Sequence, residues 1–175
     1  MTYKEALTQS MEQLATDPTT RFVGYGVKIG GRALGTLKSI PDHQLIETPV
    51  AENLMASMAI GMSLAGLKPI VFIERMDFIL NALDAIVNHL SAARKISQGE
   101  FNPAVIFRVV VGNKNKPLYT GPTHVQDFTT ALQHMVDFPV DRLTNKEMII
   151  PTYKHAYINL THGTSTILVE YKDLI

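Results

Sequence analysis

Glu52 is a lone carboxylate near the start of the run ETPVAENLMASMAIGMSLAG at 47–66. A charge in such apolar company is unfavourable unless something uses it. Asp77 and His124 are the other two groups whose placement invites chemistry. Both fall in turns that follow apolar, strand-like runs, and an imidazole exchanges protons near neutral pH. Some chemistries are excluded by composition. The chain has no cysteine, which excludes a thiolate nucleophile, a disulfide and a cysteine metal site. His89, His134, His155 and His162 lie in helical runs without metal-ligand spacing and read as structural. Gly24, Gly26, Gly30, Gly31 and Gly35 make a glycine-rich loop, but it contains neither GxGxxG nor GxxxxGKS/T. A phosphate cradle is therefore a weak reading of it.

The elements that must position these groups alternate along the chain. Thr2 and Glu5 form a capping box, and Ala6, Leu7, Met11 and Leu14 continue a helix that Asp17 and Pro18 end. Strand runs fall at 21–25, 43–47, 70–73, 104–111, 140–143 and 165–171. Helices are expected from Ala51, over 77–97 as one long element, over 127–135 and over 146–162. In the long one, Phe78, Ile79, Ala82, Ile86, Val87, Leu90 and Ala93 line the inner face, while Asn88, Lys95 and Gln98 point out. From Leu54 to Leu67 nothing is charged, so that helix is expected to be buried all round, most easily with help from a partner subunit. It is too short and too rich in Ala, Gly and Ser for a bilayer span of about 20 residues.

Strand and helix in alternation mean crossover units, hence a three-layer α/β/α domain around a mainly parallel sheet. Ligands of such domains gather beyond the carboxyl ends of the strands. Glu52, Asp77 and His124 all occupy turns at that edge, after three successive strands.

Composition sets the outer bounds. The 175 residues suit one domain with a real core. Lys plus Arg equals Asp plus Glu at 16 each, which leaves no electrostatic footprint for nucleic acid or an anionic membrane. Even charge also gives little repulsion between copies. MTYKEALTQSMEQLATD has no basic segment followed by an apolar one, so a secretory signal is not expected and the cytoplasm is.

Four segments, TPVAEN at 48–53, AxGxxLAGLKPI at 59–70, DFIL-x-ALD-x-IVN at 77–88 and GPTHVQ at 121–126, resemble the β subunit of thiamine-dependent 2-oxoacid dehydrogenases, and more broadly the transketolase-type pyrimidine-binding domain. The resemblance covers most of the chain and implies the thiamine diphosphate-binding fold, with residues 1–175 as a single pyrimidine-binding domain. The family's C-terminal domain is expected to be absent. Glu52 matches the glutamate that hydrogen-bonds the cofactor's aminopyrimidine and promotes its activating tautomer. Phe78 matches the aromatic that stacks on that ring, and Leu54 falls at a further cofactor-contacting position. His124 matches the histidine of an H-S-Q motif that handles protons or anions on the substrate adduct. Taken alone, Glu52 is also an ordinary helix-start carboxylate, Phe78 a core residue and His124 a surface group.

The resemblance further implies the cofactor thiamine diphosphate with Mg²⁺, both held mainly by a separate diphosphate-binding, GDG-containing α-type subunit, in an α2β2 assembly acting on a 2-oxo acid. This chain has no GDG, so it is expected to supply half a site. Gly24-Tyr25-Gly26-Val27 replaces an acidic family segment, and Val125 replaces the serine of H-S-Q. Those two departures keep open a non-catalytic assembly or regulatory subunit as the alternative.

Overall fold

Thr2 caps the first helix as its spacing to Glu5 predicts: Glu5 N–H donates to the Thr2 hydroxyl at 3.2 Å and Thr2 N–H to the Glu5 carboxylate at 2.7 Å. The computed structural model describes residues 1–116 and 121–175, so the part of the sequence loop at 117–120 lies outside the described residues. The elements run α1 (Tyr3–Ala15), β1 (Thr20–Gly24), β2 (Leu45–Glu47), α2 (Glu52–Leu64), β3 (Lys68–Ile73), α3 (Ala92–Ile96), β4 (Ile106–Val111), α4 (Thr129–Met135), β5 (Val140–Arg142), α5 (Lys146–Thr161) and β6 (Thr166–Tyr171).

The strands form one six-stranded sheet in the order β2-β1-β3-β4-β6-β5, with every described pair parallel. Covered on both faces, the inner strands β3 and β4 are apolar nearly throughout, as parallel strands must be. Two apolar clusters flank the sheet. Leu7, Met11, Phe22, Tyr153 and Leu168 fill the side beneath α1 and α5, and Met55, Val71, Ile79, Ile86 and Val109 fill the side beneath α2 and the helical segment after β3. Each such side chain contributes about 1.5–3 kcal/mol by leaving water.

A buried ion pair crosses this core. Arg108 in β4 is fully buried and donates to both oxygens of Glu170 in β6, at 2.9 and 3.0 Å. It also donates to Tyr153 at 3.1 Å and to Thr36 at 3.2 Å, and its guanidinium lies 5.3 Å from the Phe72 ring centre. Burial alone would weaken its hold on its proton, but Glu170 and Tyr153 more than reverse that. The tyrosine's own proton is held far more tightly than usual, by burial first and then by Glu170.

Three expectations need correction or narrowing. The segment expected as one long α-helix over 77–97 is a 3-10 helix at Met76–Ala82, a π-helix at Asp84–Ser91 and the short α3. The 3-10 stretch is overwound and the π stretch underwound, so Ile79, Ala82, Ile86 and Leu90 still share one buried face. Second, α2 is not buried all round within this chain. Met55, Ala56 and Ala59 pack on the sheet, whereas Leu54 is 48 % and Leu64 53 % exposed. The sequence lacks charges there because the outer face is apolar, not because this chain covers it. Third, the 43–47 run opens with a 3-10 turn at Asp42–Gln44, and only Leu45–Glu47 is strand.

Candidate active site

The carboxyl ends of β1, β2, β3 and β4 converge on one edge, and the residues expected to do chemistry stand in its turns. Glu52 opens α2 and is only 6 % exposed. It stands in the first turn, at the positive end of the helix, and its carboxylate accepts a hydrogen bond from Asn81 Nδ2 at 3.3 Å. Glu52 and Phe78 line one cavity of about 100 Å³, together with Tyr25, Val50, Met55 and Phe72. Phe78 and Asn81 are three apart in the 3-10 stretch, where such residues eclipse. One side of that turn therefore presents both the aromatic ring and the amide that holds the acid.

His124 closes the edge from the β4 side. Its ring meets Phe78 edge-on, with centroids 5.2 Å apart and planes at 90°, and Thr123 Oγ1 is 3.0 Å from its Nδ1. A Cβ at Gly112 would overlap the His124 carbonyl oxygen, so glycine is required for this approach. Glu52, Phe78 and His124 are thus brought together. Leu54 is not: it sits on the exposed face of α2, and the cavity's lining does not include it.

Asp77 joins the site by an unexpected route. It is buried, its Oδ1 accepts from Gln126 Nε2 at 3.0 Å, and its Oδ2 has no hydrogen-bond partner among the described residues. Beyond His124 lies a second cavity of about 220 Å³, lined by Arg75, Asn113, Lys116, Val125 and Lys172. Lys172 gives up its proton more readily than usual, through burial and then the neighbouring Arg75. Sequence reading missed Asn81, Arg75 and Lys172, and gave Gln126 only as the end of GPTHVQ, with no role. The two cations had a signal, since each stands just past the end of an apolar strand.

The glycine loop is settled by Glu47, whose carboxylate accepts backbone N–H groups from Gly26, Lys28 and Ile29 at 2.6, 2.7 and 3.1 Å. Burial alone would raise its affinity for a proton, but these amides outweigh burial and hold it below the usual range. The loop does gather amides around an anion, and the anion is the chain's own. Among the described residues no three His, Asp or Glu side chains converge as a metal would need, and no helix is long and apolar enough to cross a membrane.

A buried carboxylate beside an aromatic face can exchange a proton with a flat heterocycle stacked on that face. Fold and cleft define a class: a parallel α/β domain presenting an acid and a ring at the carboxyl edge. The chain belongs to the family described as transketolase, pyrimidine binding domain, whose family model matches residues 1–156. It is 31 % identical over 134 residues to the pyruvate dehydrogenase E1 component subunit beta of Saccharomyces cerevisiae, covering 74 % of this chain and 36 % of that protein. The Rickettsia conorii subunit is 29 % identical over 140 residues, covering 77 % of this chain and 42 % of that protein. This chain thus spans less than half the length of these relatives. A solved structure described as a split gene transketolase, inactive beta4 tetramer, shares the fold with a TM-score of 0.69 at 14 % identity, covering 97 % of this chain and 50 % of that one.

Proposed function

We propose that this chain is the pyrimidine-binding subunit of a split thiamine diphosphate-dependent enzyme, active only when a separate diphosphate-binding subunit completes the site. The observation that carries the reading is the buried Glu52 sharing a cleft with Phe78 beside the uncovered apolar face of α2. At about 100 Å³ the cleft is well short of the roughly 300 Å³ and more of a whole small-molecule pocket. The donor set fits one edge and one face of an aminopyrimidine, and the rest of the cofactor falls to the partner.

Thiamine diphosphate, when bound, would supply a nucleophilic carbon from its thiazolium C–H and a cationic ring to take up the electrons released as a 2-oxo acid loses carbon dioxide. Glu52 would hold a proton at the pyrimidine's ring nitrogen, oriented by Asn81. Phe78 offers its ring face, and such stacking is worth about 1 kcal/mol beyond burial. His124 would move a proton or hold negative charge at the substrate, and Arg75 and Lys172 beyond it suit a substrate bearing a carboxylate. Leu54, on the open face of α2, contacts cofactor or partner only once the second subunit is seated. Mg²⁺ would be held mainly by the partner around the diphosphate, in an α2β2 assembly. The acyl or aldehyde unit is then released or transferred.

Mixing this chain with a GDG-containing partner, thiamine diphosphate and Mg²⁺ is expected to give turnover of a 2-oxo acid. Glu52→Gln should remove nearly all of it while the complex still forms. Full turnover by that variant would reject the assignment. A complex whose cofactor affinity and rate ignore the substitution would instead identify a non-catalytic subunit. By calorimetry the chain alone should bind negligible cofactor.

A further inference from the structure

Consecutive residues after β3 meet alternate residues of the segment after β4. Met76 Sδ accepts the Phe128 N–H at 2.9 Å, Asp77 Oδ1 accepts Gln126 Nε2 at 3.0 Å, and Phe78 meets the His124 ring edge-on at 5.2 Å. The three contacts make one seam, with 76, 77 and 78 set against 128, 126 and 124. We infer that Asp77 is a positioning residue: through Gln126 it fixes the segment that carries His124 against Phe78, and so sets where the imidazole stands relative to Glu52.

The argument begins with an oddity. A buried carboxylate oxygen without a partner has lost its water and gained nothing in exchange, which is unfavourable. Asp77 has one, on Oδ2, and spends its other oxygen on a single donor, Gln126. A charged acceptor makes that bond roughly twice as strong as a neutral one would. It is the central rung, between a sulfur contact and a ring contact that are individually weak. From the far side the segment is pressed against Gly112, where no side chain fits. His124 is thus gripped between β4's end and the seam.

The same 3-10 turn also holds Glu52 through Asn81, three residues on from Phe78. One short rigid turn therefore references both the acid and the imidazole. Displacing a catalytic group by about 1 Å can lower a rate about 10²-fold. The catalytic consequence rests on the thiamine reading above; the seam itself does not.

The test has one arm for each. In the isolated chain, the His124 imidazole protons should show a ring-current shift in NMR that Phe78→Ala abolishes. Asp77→Ala should move them toward that same position, and Asp77→Asn, which keeps an acceptor for Gln126, should hold them at the wild-type one. Gln126→Ala, at an exposed position that leaves the core untouched, should reproduce the Asp77→Ala shift. If Asp77→Ala fails to fold, Gln126→Ala decides, and unchanged His124 resonances in it overturn the inference. In the assembled enzyme, Gln126→Ala should lower kcat about tenfold with KM changed less than about twofold. Asp77→Asn should retain most of kcat. An unchanged kcat, or a loss confined to KM, would remove the catalytic consequence. Absence of any 2-oxo acid turnover by the wild type would count against the thiamine reading while the NMR arm still judged the seam.

Discussion

The two faces of the sheet are finished to different degrees. Beneath α1 and α5 the core is sealed, and its buried ion pair, Arg108 with Glu170, is completed by Tyr153 and Thr36. Beneath α2 and the 3-10 turn the apolar surface runs on into solvent at Leu54, Leu64 and Leu80. Two of the three buried side-chain oxygens without a partner among the described residues, on Thr48 and Asp77, lie on the open side's functional edge. The sealed face secures the fold, and the open face is where the proposed partner subunit would sit.

The comparison breaks most readily at Arg108. Arg108→Ala leaves Glu170 buried without its counter-charge and should destabilise the chain by about 3–5 kcal/mol, read from the urea midpoint. A loss under 1 kcal/mol would show that the sealed face does not depend on the pair. On the open side, Glu52→Gln should lower turnover of the assembled enzyme by about 10²-fold or more, typical for a lost proton-transfer group. Its urea midpoint should stay near that of the wild type, separating chemistry from folding.

Acid should act next. Asp17 accepts hydrogen bonds from Thr19 and Tyr157 and pairs with Lys68. Lys68 above all holds its carboxyl well below the usual range. Glu47 is also depressed. For both groups the unfolded chain binds protons more tightly, so stability rises with pH across the window between folded and unfolded values. The contribution is complete above the ordinary values of 3.8 and 4.5 and fades as pH drops below them. Urea midpoints at pH 6 and pH 3 check this, and the Asp17→Asn, Glu47→Gln double variant should flatten the difference. The smallest effect belongs to Leu64→Ser, expected to change the stability of the lone chain by less than about 0.5 kcal/mol, as surface changes do. The same change should measurably weaken assembly with the partner in analytical ultracentrifugation.

Much of this was legible. The capping box at Thr2 and Glu5, the order of strands and helices, and the shared edge of Glu52, Asp77 and His124 follow from local spacing and from the rule for parallel sheets. Apolar residues at three- and four-residue intervals cannot separate an α-helix from a 3-10 turn followed by a π turn, because each keeps Ile79, Ala82 and Ile86 on one face. That ambiguity hid Asn81. Sequence reading passed over Arg108 and Glu170, although opposite charges inside otherwise apolar strands were a signal for the pair. They lie on neighbouring strands, since Arg108 is level with Leu168, two residues before Glu170. The outer face of α2 was legible as apolar, but not what covers it, because an uncharged helix reads the same whether its own chain or another covers it.

Helix α1 lies against α5, and the Tyr3 hydroxyl donates to Leu143 O at 2.7 Å across 140 positions of sequence. During synthesis the first helix therefore emerges long before its resting place exists. Strand β1 waits as well, for β2 and then β3 on either side. A ribosome stalled before α5 would present α1's greasy side to chaperones, which makes the nascent chain more vulnerable than the finished one.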